Sequence, residues 1–344
     1  MSKEITLLVR DNIRRLKPYT CARHEFKGEA SVYLDANENP MNSPYNRYPD
    51  PLQEELKRKI GRIKCVRPSQ IMLGVGSDEP IDLIFRIFCE PKRDNVVAID
   101  PTYNMYKVCA DINDVEYRPV LLNDDFSLNA ARLLEAVDKN TKAVFLCSPN
   151  NPTGNSFSCE EVCHVLENFE GITVIDEAYI DFSSQLSWLT GLDDYPNLIV
   201  LQTFSKAWGL ASARCGMAFA SEEIIGFLNK VKYPYNINYL TQRLVSEQLN
   251  HEERKNQWVE MLLIQRRLLA DKLQELPFVE NIFPSDANFL LLKVDDPEGI
   301  YNQLVERGVI VRKRNNLSLC CGCLRITVGT EEENNTLITE MKKL

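Results

Sequence analysis

The sequence predicts an α/β protein: a three-layer, mostly parallel sheet with helices on both faces, followed by a smaller C-terminal α/β domain. Three observations carry this. Short apolar runs, such as Val96-Val97-Ala98-Ile99 and Ile172-Thr173-Val174-Ile175, alternate with helix-length segments between residues 70 and 220. Strands spaced in this way imply parallel neighbours, because each crossover lays a helix on one face of the sheet. Polar or glycine-rich clusters follow several runs, and sheets of this kind collect ligands at the carboxyl ends of their strands. Finally, 344 residues with 44% hydrophobic and 26% charged composition suffice for two folded units around large cores.

Taken in order, residues 3–17 read as an amphipathic helix with Ile5, Leu8, Val9, Ile13 and Leu16 on one side. It ends at Lys17-Pro18, since proline disfavours helix in the residue before it. Too small to stand alone, it packs on the main body or on a second subunit. A short strand over 32–34 leads into the polar loop Asp35-Ala36-Asn37-Glu38-Asn39-Pro40, and a helix over 52–61 stops at Gly61. Strands over 71–73, 95–99, 115–122, 143–147, 172–175, 198–201 and 215–220 then alternate with helices over 81–88, 103–110, 129–137 and 158–168. One long helix over 239–276, without internal glycine or proline, leaves the first domain. Strand 289–294, helix 297–306, strands 309–312 and 324–328 and a helix from Thr330 complete the second. The expected domains are an arm and helix at 1–30, a large domain at 31–238 and a small domain at 239–344.

The net charge of −9, with no Lys/Arg run longer than the three residues of Lys57-Arg58-Lys59 or Arg312-Lys313-Arg314, argues against nucleic acid or an anionic membrane as partner, because phosphate backbones demand clustered positive charge. Residues 1–15 are mixed and charged, and no run of about 18 apolar residues is present to span a bilayer. The expected location is the cytoplasm. Eleven cysteines without a regular framework read as reduced thiols. Cys159-x3-Cys163-His164 and Cys320-Cys321-x-Cys323 lack partners at zinc-site spacing, and with three histidines in the chain no metal site is expected.

The chemistry centres on Thr203-Phe204-Ser205-Lys206-Ala207-Trp208-Gly209, which follows the apolar run 198–201 and lies eight positions before Arg214. A lysine held at a strand end by tight backbone is suited to Schiff-base chemistry, with an ordinary solvated lysine as the other reading, and an arginine fork nearby is suited to a phosphate. Gly74-Val75-Gly76-Ser77-Asp78 opens a helix and reads either as an anion site or as an ordinary cap. Ser148-Pro149-Asn150-Asn151-Pro152-Thr153-Gly154 is a turn that presents Asn151 as a donor, or a plain loop. Asp176 ends a buried strand, where a carboxylate needs a positive partner; a structural ion pair or helix cap is the alternative. Tyr179 lies three residues on. Together these are the fittings for pyridoxal 5′-phosphate, whose ring nitrogen stays protonated beside a carboxylate.

The set Pro101-Thr102-Tyr103, Asn150-Asn151-Pro152-Thr153-Gly154, Asp176-Glu177-Ala178-Tyr179 and Ser205-Lys206…Arg214 resembles the fold-type-I pyridoxal-phosphate-dependent aminotransferases. Leu34-Asp35-Ala36-Asn37-Glu38-Asn39-Pro40, Arg47-Tyr48-Pro49-Asp50 and Cys323-Leu324-Arg325-Ile326-Thr327-Val328-Gly329-Thr330 resemble the branch that acts on histidinol phosphate. The resemblance covers nearly the whole chain. It implies reversible transamination between L-histidinol phosphate and 2-oxoglutarate, giving imidazole acetol phosphate and L-glutamate in histidine biosynthesis. It further implies that Lys206 holds the cofactor and shuttles the proton, that Asp176 pairs with the pyridine nitrogen, and that Asn151 and Tyr179 bond the ring oxygen. Tyr103 would stack on the ring, while Ser77, Asp78, Ser205 and Arg214 surround the phosphate. Tyr48 would reach that phosphate from a neighbouring subunit, which implies a homodimer with shared sites. Arg325, Arg312 and Tyr19 would face the substrate; surface charge is the other reading of Arg312, beside Lys313 and Arg314.

Two departures from the family pattern stand out. Ser212 and Asn104 occupy positions where glycine is common; serine loses freedom at positive φ, so the turn at Ser212 is expected to differ, whereas asparagine tolerates left-handed backbone and the change at Asn104 is mild. Aromatic-amino-acid aminotransferases and a threonine-phosphate decarboxylase share the cofactor motifs and remain alternatives. A regulator fused to a DNA-binding module would need a basic N-terminal extension, whereas one short helix precedes Val32.

Overall fold

The structure, a computed structural model, describes residues 4–21, 28 and 30–344. Among these residues, seven strands form one sheet: β1 (Ile71–Val75), β2 (Asn95–Asp100), β3 (Glu116–Leu121), β4 (Thr141–Cys147), β5 (Ile172–Asp176), β6 (Leu198–Thr203) and β7 (Cys215–Ala220). Their spatial order is β1-β7-β6-β5-β4-β2-β3. Strands β2 to β6 pair in parallel, whereas β7 runs antiparallel to β1 and β6. The carboxyl ends of the other six strands therefore meet the amino end of β7 along one edge.

Alternation along the strands builds two cores from one sheet, since successive side chains point to opposite faces. Val97, Ile99, Val144, Leu146 and Val200 join the core under helices Glu54–Lys64, Ala130–Glu135 and Cys159–Asn168. Val96, Ala98, Phe145, Val174 and Leu201 join the core under helices Asp78–Phe88, Met105–Ile112 and Glu222–Val231. Both faces are thus dry, and each fully buried Leu or Ile contributes about 1.5–3 kcal/mol relative to exposure. Helix Cys159–Asn168 begins where Ser158 Oγ accepts the Glu161 N–H, a side-chain cap legible in the sequence.

The remaining strands, β8 (Val279–Ile282), β9 (Phe289–Val294), β10 (Arg312–Lys313) and β11 (Cys323–Thr327), form a second, antiparallel sheet ordered β10-β11-β9-β8. Helices Pro297–Glu306 and Glu331–Met341 and the last turns of helix Glu252–Gln274 cover it through Ile300, Leu304, Leu337, Leu269 and Leu273.

Several expectations need correction. The N-terminal segment is two short helices, Ile5–Leu8 and Asp11–Arg15, interrupted at Val9, whose backbone is extended. The break lets the Arg10 N–H bond the Ile87 carbonyl at 3.0 Å, while Ile5, Val9 and Ile13 sink into the core under the sheet. The expected start at residue 3 lies outside the described residues. Residues 32–34 form no strand; Val32 and Leu34 are exposed. Gly61 does not stop its helix, which runs to Lys64 and ends at a left-handed Cys65. Instead, a Cβ at Gly61 would come 2.5 Å from the Val66 carbonyl oxygen, so the glycine admits the chain that folds back over the helix.

The expected helix over 239–276 is two, Tyr239–Gln248 and Glu252–Gln274, separated by a 3-10 turn at Leu249–His251. The break marks a change of partner: Val245 and Leu249 pack in the first core, and Leu269 and Leu273 in that of the second sheet. Strand 309–312 shrinks to Arg312–Lys313. Helix Glu222–Val231 and strand β8 are additional elements. The first carried a readable signal, because the Ser221 side chain accepts the Ile224 N–H. The second is a short strand whose polar Glu280 and Asn281 are exposed, too weak a pattern to stand out.

Candidate active site

Between the carboxyl edge of the first sheet and the arginines of β10 and β11 lies a cleft of about 1180 Å³. Its floor is Asp176, the last residue of β5 and only 2% exposed. The Tyr106 hydroxyl donates to one carboxylate oxygen at 2.8 Å, and the Ala178 N–H to the other at 3.1 Å. Burial pushes this carboxyl up to about 6, against the opposing pull of the Tyr106 hydrogen bond and the Lys206 charge. A buried carboxylate so placed is an acceptor for a positively charged or protonated ligand group.

Lys206 lies three residues past the end of β6, in a turn closed by the Gly209 N–H bonding the Lys206 carbonyl at 3.0 Å. Gly209, at φ +65°, supplies the left-handed corner. The amine sits 5.4 Å from the centre of the Tyr179 ring. Burial, reinforced by Arg325, holds its pKa below the ordinary lysine value, while Asp176 opposes the shift. The free-amine form needed for nucleophilic attack is therefore easier to reach.

A compact anion cradle lies at β1 and β7. Gly76, at φ +68°, leaves its Cβ position to the Arg214 guanidinium, whose Nη2 is 2.6 Å from where that carbon would stand. Arg214 itself is left-handed, at φ 49°, and its main-chain carbonyl accepts the Gly76 N–H at 2.9 Å. Its side chain pairs with Asp78 at 3.5 Å, and the Tyr103 hydroxyl donates to the same carboxylate at 2.9 Å. Ser205 joins through the Thr203 hydroxyl, 3.0 Å from its own. Helix Asp78–Phe88 starts at this point, so its unpaired N–H groups add to the positive potential.

Across the cleft, Arg325 donates to the Asn151 side-chain oxygen and lies with its guanidinium carbon 5.1 Å from the Phe289 ring centre. Tyr179 packs edge-on against the same ring, 5.2 Å away. Arg312 pairs with Arg325 in the β10–β11 register and also lines the cleft, although it is largely exposed.

The fold thus brings Ser77, Asp78, Tyr103, Asn151, Asp176, Tyr179, Ser205, Lys206, Arg214, Arg312 and Arg325 to one cleft. Tyr19 and Tyr48 do not line it. Tyr19 is 73% exposed, and Tyr48, 52% exposed, stacks on Tyr235 at 4.5 Å. Neither Ser212 nor Asn104 adopts a left-handed backbone, so the turn change expected at Ser212 has no such cause. Ser212 sits inside a short 3-10 turn, with the positive φ falling on Arg214 and Gly209, and Asn104 precedes its helix at φ −65°.

Three residues of the site escaped the sequence reading. Tyr106 lies on a helical face that reads as core, and its bond to Asp176 joins elements 70 positions apart. Fully buried Asn150 donates to the Pro101 carbonyl and to Thr153, and accepts from Thr102, which ties the loops after β2 and β4 together. Arg314 was hidden in the Arg312-Lys313-Arg314 charge run; it lines the cleft and is only partly exposed.

These features, an amine with a lowered pKa and a buried carboxylate in one cleft with Arg214, Arg312, Arg314 and Arg325, point to a class of cofactor-dependent enzyme. The family model for class I and II aminotransferases matches residues 18–341, and the chain belongs to that family. A Bacteroides fragilis (strain YCH46) protein named histidinol-phosphate aminotransferase is 59% identical over 342 residues, 99% of each chain. The fold is shared with the histidinol-phosphate aminotransferase from Clostridium acetobutylicum, with a TM-score of 0.81 and 22% identity over 87% of this chain and 90% of that one. The Sinorhizobium meliloti histidinol-phosphate aminotransferase, solved in complex with pyridoxal-5′-phosphate, superposes with a TM-score of 0.80 at 22% identity, covering 86% and 83% of the two chains.

Proposed function

We propose that this protein catalyses the reversible transfer of an amino group between L-histidinol phosphate and 2-oxoglutarate in histidine biosynthesis, with pyridoxal phosphate as cofactor. The observation that carries the reading is the convergence in one cleft of buried Asp176, the Lys206 amine and the facing Arg325. The donor set fits the cofactor. The Gly76 cradle, which a Cβ would fill, suits a phosphate beside Arg214, and Asp176 at the floor suits a protonated ring nitrogen.

When bound, pyridoxal phosphate supplies an electron sink for the charge left at the substrate carbon that loses its proton. Asp176, oriented by Tyr106, keeps a negative partner against the ring nitrogen. Asn151 and Tyr179 would hold the ring by hydrogen bonds and Tyr103 would pack on it, all three lining the cleft. Ser77, Asp78, Ser205 and Arg214 hold the phosphate, the first two mainly through backbone N–H groups. Lys206 Nζ would hold the cofactor, and its amine, with a pKa lowered by burial, would take up the proton that leaves the substrate carbon. Arg325, with Arg312, holds the substrate anion; a guanidinium fork accommodates a carboxylate in one half-reaction and a phosphate ester in the other.

The reading extends to a cytoplasmic homodimer in which Tyr48 reaches the neighbouring subunit's cofactor phosphate. The exposed apolar side chains Val32, Leu34, Met41, Tyr45 and Tyr233 support it, because a surface of this kind is usually covered by a partner. Among the described residues no helix is long and apolar enough to cross a membrane. In the proposed division of labour, a large unit carries the cofactor groups and a small C-terminal unit carries Arg312 and Arg325.

The test is direct. Purified protein is expected to absorb in the visible, to lose that band on borohydride reduction at Lys206, and to aminate 2-oxoglutarate from histidinol phosphate. Turnover by Lys206→Ala would end the proposal. Activity on phenylalanine without activity on histidinol phosphate, or carbon dioxide release from threonine phosphate, would redirect it.

A further inference from the structure

Arg314 has no assigned task, yet its surroundings are those of a binding group. Its main-chain N–H continues the β10–β11 ladder to the Cys323 carbonyl at 2.9 Å. Since side chains alternate along a strand, Arg314 shares a face with Arg312 and with Arg325, which pairs opposite Arg312. Lys313 takes the other strand face, bonded to Glu298 and set 4.7 Å from the Tyr301 ring centre, and lines the cleft together with them. Three guanidiniums therefore border one cleft. Arg214 has Asp78 as ion-pair partner, whereas among the described residues the buried Nε–H groups of Arg314 and Arg325 have no acceptor. Burial, with Arg325 and Arg312 adjacent, lowers Arg314 to about 10. A buried donor left unpaired is costly, and an anionic ligand is the natural acceptor for both.

Substrate chemistry separates the two donors. The carboxylate of glutamate is attached directly to the carbon that carries the amine, whereas the phosphorus of a phosphate monoester sits further out, beyond a methylene and an oxygen. The ester also carries a charge of about −1.5 to −2 near neutrality and three acceptor oxygens. Arg325, bonded to Asn151, is placed for either anion.

We propose that Arg314 is a further anion-binding arginine, beside Arg325 and Arg312, that engages the phosphate monoester of the larger substrate more strongly than the α-carboxylate of glutamate, and so sets the preference between them. The proposal rests on the reaction proposed above.

The test uses the holoenzyme and the variants Arg314→Gln and Arg314→Lys. The loss of a charge-assisted donor pair changes affinity by about 10- to 100-fold. The ratio of KM for histidinol phosphate to KM for glutamate should therefore rise by about tenfold or more in Arg314→Gln, with kcat little changed. Arg314→Lys should fall between Arg314→Gln and wild type, because it keeps the charge and loses the fork. Equal changes in both KM values, or a fall confined to kcat, would overturn the assignment. Should Arg314→Gln not fold, Arg314→Lys and inorganic phosphate as inhibitor of the glutamate half-reaction carry the test. The inhibition constant should rise in the variant, and wild-type enzyme indifferent to phosphate would refute the site. Wild type inactive on histidinol phosphate but inhibited by phosphate through Arg314 would overturn the reaction and leave the anion site standing. Histidinol phosphate turnover unaffected by Arg314 would overturn the site alone.

Discussion

The replacement Asp176→Asn should stabilise the cofactor-free protein at neutral pH while it disables the enzyme. The Asp176 carboxyl is raised from its ordinary 3.8 to about 6, chiefly by burial. Because the folded pKa is the higher one, the folded state holds its proton over a range where the unfolded state has released it. The resulting destabilisation is absent below 3.8 and fully developed above 6. Two units at about 1.4 kcal/mol each amount to about 3 kcal/mol. Asparagine removes that term but has one acceptor oxygen for two donors, Tyr106 and the Ala178 N–H, and the loss of one such bond costs about 1 kcal/mol. The variant should therefore be less stable than wild type by about 1 kcal/mol near pH 4 and more stable by about 2 kcal/mol at pH 7.5. Urea unfolding of both cofactor-free proteins at the two pH values measures the difference. A difference that does not change with pH, or that moves against Asn as pH rises, would refute the account of Asp176 as a carboxylate held in place for a ligand. In the holoenzyme the same variant should lose most of its rate, because the ring nitrogen loses its negative partner.

Other perturbations address neighbouring parts of the site. Tyr106→Phe leaves a buried carboxylate oxygen without its donor and should cost the cofactor-free protein about 1–3 kcal/mol at pH 7.5, less at pH 5, where the carboxyl is mostly protonated; urea titrations at both pH values report it. In Gly216→Ala the new methyl would land on the backbone of Gly76 and Ser77. Thermal unfolding should show a loss of about 1–3 kcal/mol, and dialysis should show faster loss of cofactor. Thr330 forms a reciprocal cap with Glu333 at the start of the last helix, so Thr330→Ala should cost about 1 kcal/mol and Thr330→Ser little.

Much of this fold was legible because its signals are local. Strands β2, β4, β5, β6 and β7 are buried along almost their whole length, and continuous apolar runs between helical stretches announce such strands. The errors fall where tertiary contacts override local pattern. Val9 leaves helical geometry so that Arg10 can bond Ile87, and the helix past Tyr239 breaks where its packing passes from one core to the other.

The same division holds in the cleft. By itself, the sequence established the parallel α/β class and picked out residues whose chemistry is unusual for their position, such as Lys206 after a strand and Asp176 at the end of one. Motif order and spacing carried that information along the chain. Only the tertiary structure decided which residues meet: Tyr106 beneath Asp176, Asn150 between two loops, and Arg314 on the strand face of Arg325 while Lys313 bonds Glu298 from the other. Burial and hydrogen-bond partners belong to the assembled fold, because a side chain's solvation is set by elements far away in sequence. Arg312-Lys313-Arg314 reads as one run of surface charge until the pairing of β10 with β11 sorts its members onto opposite faces.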